Sequence, residues 1–322
     1  MKNRLHVLLS LVLTVFLLLT AAACAQNAAT EETASATTAA PETTTAAPEP
    51  TVIEYVSKMT LQSDAAVYTF YISYDPAART MTLTSDNTSD NPVMFNLGTS
   101  FLLNTAQMKN QSNGIIPDNN GSPLIFNLLT HPLFTAGLVD HINLCAGNPY
   151  SRDANCQEYH FTRDESGKCT AYSFEAYSAG AQSANGTGTL TYDANGKLTQ
   201  LLENDTISGE GTNTLTWNGD QLVQYDYTGG GLTMNTSYQY SAEGNLTKYS
   251  RTMTNGEQSI SYEEFYIFNP ATGFIAQANY PDSQATVDFF YDDANTHLNQ
   301  AVMASEGNVT ATYEYASYTV PA

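Results

Sequence analysis

Leu190-Thr191-Tyr192-Asp193-Ala194-Asn195-Gly196-Lys197-Leu198-Thr199 reads as strand, tight turn, strand. Side chains along a strand alternate between its two faces, so Leu190 and Tyr192 share one face and Thr189 and Thr191 the other. Asp193 to Gly196 supplies the turn, because an Asx side chain bonds its own backbone and Asn-Gly tolerates positive φ. Four more copies follow. They run from Leu215 to Leu222, from Tyr238 to Leu246, from Tyr266 to Phe274 and from Phe289 to Leu298. From Asp193 through Asn218, Ser241 and Asn269 to Asp292 the steps are 25, 23, 28 and 23 residues, the near-constant period of a repeat architecture. Looser copies begin at Tyr74 and Arg163.

This pattern predicts a mainly β fold: an antiparallel meander of repeated hairpins, twisted and curled into a half-barrel, with a short helical insertion packed on the sheet. The insertion is expected near residues 123–145, where the apolar run from Leu124 to Leu144 has a spacing closer to helical than to alternating. Pro132 divides it into two short helices. Phe95 to Leu103, also apolar, reads as strand or short helix.

The repeat unit resembles the YD repeat of bacterial cell-surface and RHS-type proteins, best at Tyr192 to Thr199, over the region from Gly186 to Val320. Two of the five copies keep the Tyr-Asp pair, at Tyr192-Asp193 and Tyr291-Asp292. The resemblance implies long antiparallel sheets of hairpins, which in large members of that family curl into a hollow shell. Five copies are too few for such a shell. With no toxin-like segment after the last strand, a toxin-delivery role is not expected to transfer.

The chain begins with Lys2 and Arg4 ahead of an apolar run from Val7 to Leu19, then Ala21-Ala22-Ala23-Cys24. This is the layout of a secretory signal, too short for a comfortable span, and Ala21 to Cys24 is similar to a bacterial lipobox. Residues 1–23 are expected to be removed and Cys24 to be lipidated, which implies a lipoprotein held at the cell membrane within the bacterial envelope. Cleavage at the Ala cluster without lipidation is the other reading. Residues 24–51, rich in Ala, Thr, Glu and Pro, cannot bury a core and read as a disordered tether reaching up to about 80 Å. Residues 52–322 are then one folded domain.

The 11 Lys and Arg of the chain include Lys2 and Arg4; without them 9 bases face 32 acids, a formal charge of −23. Nucleic acid and anionic membrane surfaces both need a basic footprint, so neither is expected as a partner of the folded part. No loop has EF-hand spacing; residues 86–91 and 118–121 read as Asx-rich turns, and no metal or other cofactor is expected.

His141, Cys145, Cys156 and His160 leave three readings open. Outside the cytoplasm a disulfide is natural, and Cys145–Cys156 closes the shortest loop; free thiols are the second reading. A tetrahedral zinc site is the third, with His141 and Cys145 on one helix face and Cys156 and His160 on one strand face, though the order matches no zinc-finger pattern. The repeated aromatics Trp217, Tyr225, Tyr227, Tyr238 and Tyr240 are either a cross-strand ladder that packs the sheet or an open face that stacks on sugar rings. Glu263 and Glu264 are adjacent and face opposite ways, so they cannot act together as acid and base. Gly-x-Ser-x-Gly, His-Glu-x-x-His and phosphate-loop motifs are absent.

The expected function is therefore non-enzymatic: a surface lipoprotein presenting its sheet to envelope or extracellular glycans or proteins. The alternatives are a protein holding a small apolar ligand between sheet and helices, and a glycan-active hydrolase with two carboxylates brought together from distant strands.

Overall fold

In the turn of Asp193 the carboxylate accepts from the backbone N–H groups of Asn195 and Lys197 at 2.9 and 2.8 Å, while Gly196 takes φ +82°. Asp164 repeats these bonds with Ser166 and Lys168 around Gly167, so the looser upstream copy is a full member of the series. Ser241 does the same with its hydroxyl, accepting from Asn245 beside Gly244. The sequence repeat is thus a repeat of one side-chain-capped hairpin.

The computed structural model describes residues 50–86, Phe95, Gly98, Thr99, Leu102, Leu103, 123–294, 296–304 and 308–320. The signal region, Cys24, the tether to residue 49 and most of the Asx-rich stretches 86–91 and 118–121 lie outside the described residues. Among the described residues there are seventeen strands: β1 Val52–Gln62, β2 Val67–Asp75, β3 Thr80–Asp86, β4 His141–Cys145, β5 Cys156–Arg163, β6 Cys169–Ser178, β7 Ala181–Tyr192, β8 Leu198–Asp205, β9 Gly209–Asn218, β10 Gln221–Gly229, β11 Leu232–Tyr240, β12 Leu246–Asn255, β13 Gln258–Phe268, β14 Ile275–Tyr280, β15 Ala285–Tyr291, β16 Leu298–Ala304 and β17 Val309–Thr319. Each pairs with its successor, and β1 pairs with β17 from Val52↔Thr319 to Gln62↔Thr310. The sheet is therefore a closed barrel, not the expected half-barrel. Closure leaves no edge strand to be protected.

Every neighbouring pair is antiparallel except β3 and β4, which run parallel with Thr80 opposite His141. That exception dictates the path of the insertion. β3 ends at the rim that carries the Gln62–Val67 turn, and β4 begins at the opposite rim, which carries the Asx loops. The described residues between them run through the lumen. Helix α1, Pro123–Thr130, puts Phe126 on Tyr225 of β10, with ring centroids 5.8 Å apart. His131 meets Tyr55 of β1 at 6.0 Å. Helix α2, Pro132–Thr135, sets Phe134 against Phe161 of β5 at 4.7 Å. Strands on widely separated arcs of one ring meet the same short segment only inside that ring. A seventeen-strand barrel is too wide for wall side chains alone to fill, and here the described part of the insertion packs inside it. The expectation of a helical segment covering one face of an open sheet is corrected accordingly.

The helices also stop earlier than expected. Gly137, at φ +72°, ends α2 by donating to the Phe134 carbonyl, and Leu138 donates to that of Leu133. His141 to Cys145 is then a strand, not a helix face, because β3 and β5 offer it hydrogen bonds on both sides. Upstream, Phe95, Gly98, Thr99, Leu102 and Leu103 are helical and buried, at the spacing of one helix face. A Cβ on Gly98 would lie 1.9 Å from Cζ of Phe70, so only glycine lets this helix rest on that ring.

One further bond recurs around the Asx rim. Tyr192 donates to the carbonyl of Cys169 at 2.8 Å, Tyr240 to Leu222 at 2.7 Å, Tyr291 to Ile275 at 3.0 Å and Tyr315 to Leu298 at 3.1 Å. Trp217, which takes the place of Tyr192 in its own repeat, uses Nε1–H on Leu198 at 2.8 Å. In each case the aromatic near the end of one strand staples the start of the preceding strand.

Candidate ligand site in the barrel lumen

β11 shows how the wall is divided. Met234, Thr236 and Tyr238 are buried toward the lumen, and Thr233, Asn235, Ser237 and Gln239 are exposed outside. The outside is polar along most strands, whereas a membrane-spanning barrel carries an apolar band of about 25 Å there. No helix among the described residues is long and apolar enough to cross a membrane.

The same alternation turns charged residues inward. Arg251 of β12 lies opposite Thr236 on one side and Tyr262 on the other, and Tyr249 lies opposite Tyr238 and Glu264. Arg251 Nε donates to Thr236 Oγ1 at 3.2 Å, and Nη1 to Tyr262 Oη at 3.1 Å. The guanidinium carbon stands 5.2 Å from the centre of the Tyr249 ring. Glu264 accepts from Tyr266 through Oε2. Arg251 and Glu264 are 1% and 0% exposed, and no ion pair of 4.0 Å or less joins them. Four buried atoms of this patch have no hydrogen-bond partner among the described residues: Arg251 Nη2, Tyr238 Oη, Tyr249 Oη and Glu264 Oε1.

Burial decides the charge of these groups. It pushes the Glu264 carboxyl well above the ordinary carboxylate range, outweighing the pull of Tyr266 and Arg251, and so favours its neutral form. It raises the phenols of Tyr238 and Tyr249 as well, so both keep their protons. A guanidinium stays charged at any physiological pH. The four open atoms are then all donors, beside one uncompensated positive charge.

A second inward carboxyl, Glu203 of β8, is pushed up to about 7, chiefly by burial. It accepts from Tyr172 Oη at 2.5 Å and Asn213 Nδ2 at 2.9 Å, and the Asn213 carbonyl accepts from Tyr225 at 2.7 Å. Gly188 makes room for this group, since a Cβ there would lie 2.2 Å from the Tyr172 ring. These bonds tie β6, β8, β9 and β10 together.

The aromatics read as a possible sugar-stacking face are elsewhere engaged. Tyr225 and Tyr238 are buried in the lumen; Trp217, Tyr227 and Tyr240 are half-buried against the same core. These five form no open stacking face, because closure turns their side of each strand inward. Cys145 and Cys156, directly opposite each other in β4 and β5, are joined by a disulfide, and Cys169 is a buried free thiol. His141 and His160 form their own opposed pair, four positions along the same two strands. At about 3.3 Å per residue the two pairs are about 13 Å apart, too far for one tetrahedral zinc. Among the described residues no three His, Cys, Asp or Glu side chains could hold a metal together. Glu263 faces solvent and Glu264 the lumen, on opposite sides as their adjacency requires.

Arg251 and Glu203 were not singled out from the sequence, and Glu264 only as the neighbour of Glu263, yet a signal was present. Arg251 is in phase with Tyr249 and Met253, and Glu264 with Tyr262 and Tyr266, so both charges sit on the aromatic side of their strands.

No protein-family model matches this chain, and no curated protein matches it. Among solved structures it is similar to TcdB2–TccC3 without its hypervariable C-terminal region, at 13% identity and a TM-score of 0.31, covering 83% of this chain and 12% of that one. A porin-like protein from Bacteroides uniformis matches at 12% identity and a TM-score of 0.26, over 52% of this chain and 94% of that one. The Tc holotoxin pore of Photorhabdus luminescens matches at 13% identity and a TM-score of 0.21, over 56% of this chain and 12% of that one.

Proposed function

We propose that this chain is a non-enzymatic binding protein of the bacterial envelope, lipid-anchored through Cys24, that holds a small anion-bearing ligand inside its barrel. The observation that carries this reading is the set of four buried, unpartnered donor atoms on β11, β12 and β13 around the Arg251 charge. Each unmet buried polar group costs about 1–3 kcal/mol, and a buried charge without a counter-charge costs more. A carboxylate or phosphate group placed among Arg251, Tyr238, Tyr249 and Glu264 offsets those costs. The polarity of the patch favours this ligand over the apolar one expected between sheet and helices. A glycan remains a fitting partner only if it carries an acidic group. The long tether and acidic composition suit a domain held off an anionic membrane surface.

The test is to export the full-length chain in a bacterium, extract it from membranes in detergent, and compare native with denaturing mass spectra. The expected result is a small bound mass that denaturation releases, and its loss in Arg251→Met. Wild-type protein with no releasable mass, together with an Arg251→Met variant of higher thermal stability, would sink the reading. In that case the arginine is only a structural burden that a well-packed Met relieves.

A further inference from the structure

The pair His141 and His160 belongs neither to the lumen patch nor to the disulfide beside it. The two residues face each other across β4 and β5 on the outer wall, His160 exposed and His141 half-buried. Their Nδ1 atoms are 2.7 Å apart and their rings meet edge to face, with centroids at 4.8 Å and planes 73° apart. At that distance one Nδ1–H donates to the lone pair of the other, so the two nitrogens face each other, and a modest turn of the two rings would bring both lone pairs onto one ion. The antiparallel register fixes both backbones, so the pair is held by the sheet, not by a loop.

We propose that His141 and His160 form a two-imidazole chelate on the outer wall for a late divalent transition metal, with Cu2+ the tightest and Zn2+ weaker. The metal displaces the single proton that the two nitrogens share. Metal–nitrogen bonds of about 2.0–2.1 Å at a tetrahedral or square-planar angle need the nitrogens roughly 2.9–3.3 Å apart, a small opening from the present distance. Imidazole suits both ions, and divalent affinities peak at Cu2+. The surroundings do not oppose a cation. Thr80 and Ser173 flank the pair on β3 and β6, and Glu158, two residues along β5, is held by Arg152 at 2.6 Å. The net charge of −21 attracts cations to the whole surface. With two protein donors the remaining positions stay open to water or to a donor from another molecule, so the site is a docking point for metal, not a closed structural one.

The test uses the full-length chain titrated with Cu2+ and followed by calorimetry and electron paramagnetic resonance. The expected result is one Cu2+ per chain with coupling to two nitrogens, and affinity at least tenfold weaker in both His141→Gln and His160→Gln. His297, which contacts Asp292 and Glu54 at 3.2 and 3.1 Å, is the natural competitor. His297→Asn is expected to leave binding unchanged. Binding that survives the double His141→Gln, His160→Gln variant, or that disappears in His297→Asn, would overturn the proposal. All three positions are on the outer wall or a loop, so the variants keep the barrel.

Discussion

Glu263 and Glu264 are consecutive residues with opposite physical lives. Glu263, on the outside of β13, is an ordinary surface carboxylate paired with Lys248 at 2.6 Å and held below the usual range by it. Glu264, one residue on, is sealed in the lumen beside Arg251 and held in its neutral form. The same contrast runs along most of the wall: Thr, Ser, Asn and Gln in water outside, interrupted by exposed Leu202, Ile260, Ile267 and Phe290, and aromatic rings, an arginine and two raised carboxyls inside. The lesson is that this barrel is the reverse of a membrane barrel.

The largest difference between the two faces is expected from steric contact. Gly98→Ala forces a methyl into the Phe70 ring and is expected to destabilise the barrel by about 2 kcal/mol, even though alanine is the better helix former. Thr252→Ala on the outer wall removes only a bond to Ser261 and is expected to change stability by less than about 0.5 kcal/mol. Urea denaturation measures both. A Gly98→Ala protein as stable as wild type would mean that the insertion does not press on the wall as described, whereas rescue by Phe70→Leu would identify the ring as the obstacle.

How much of this was legible in the sequence depends on distance along the chain. The hairpins and their Asx turns involve residues four to twenty-five apart, and periodicity with turn chemistry is enough to find them. The equivalence of Trp217 with Tyr192 was also readable, and the structure explains it, since both supply one donor to a neighbouring carbonyl. Closure was not readable. It pairs Val52 with Thr319, and nothing in an alternating strand says whether its two edges find each other or stay apart. Without closure, the side of the aromatics could not be assigned to water or core, which is why a stacking face remained open as a reading. β4 was hidden for a different reason: five residues, His-Ile-Asn-Leu-Cys, at the end of a helical apolar run take strand form only because two strands flank them. The lumen patch was half legible, as charges in phase with tyrosines, but its isolation from water again depends on closure.

The pH dependence of stability sharpens the comparison of the adjacent glutamates. A carboxyl raised in the fold keeps a proton that the unfolded chain releases above about pH 4.3. Its stabilising effect is complete below that pH and is lost as pH rises toward the folded value, by at most ~1.4 kcal/mol per pH unit for each group. The contribution of these two carboxyls is therefore expected to fall as pH rises above about 5, that of Glu203 through about 7, while His131, whose imidazole burial holds well below its ordinary range, contributes the opposite slope below about pH 6.5. Glu264→Gln should remove the Glu264 share of the slope and leave that of Glu203, and Glu203→Gln should do the reverse. Glu263, lowered by Lys248, has the opposite sign and acts only in acid, so Glu263→Gln should leave the slope from pH 5 to 8 unchanged. Urea midpoints across that range decide it. An unchanged slope in Glu264→Gln would mean that Glu264 is ionised and serves as the counter-charge of Arg251, which also removes the case for an anionic ligand.

The smallest effect tests the repeat itself. Four tyrosines and Trp217 staple the Asx rim, but the repeat that ends β13 carries Phe268, which is half-buried at the same position and has no donor. By the register of the other copies, a hydroxyl there would reach toward the carbonyl of Leu246, the first residue of β12. Tyr315→Phe is expected to cost about 1 kcal/mol, the net worth of one hydrogen bond, and Phe268→Tyr to gain a similar or smaller amount. Thermal melts of the two variants, read as opposite shifts, would show that the aromatic of each repeat acts through its donor. If Phe268→Tyr lowers stability, the gap at that carbonyl is already closed by packing, and the ring alone is what the repeat preserves. Both outcomes bear on the wall, not on the lumen site, because Phe268 and Tyr315 sit at the Asx rim while the Arg251 patch lies within β11 to β13.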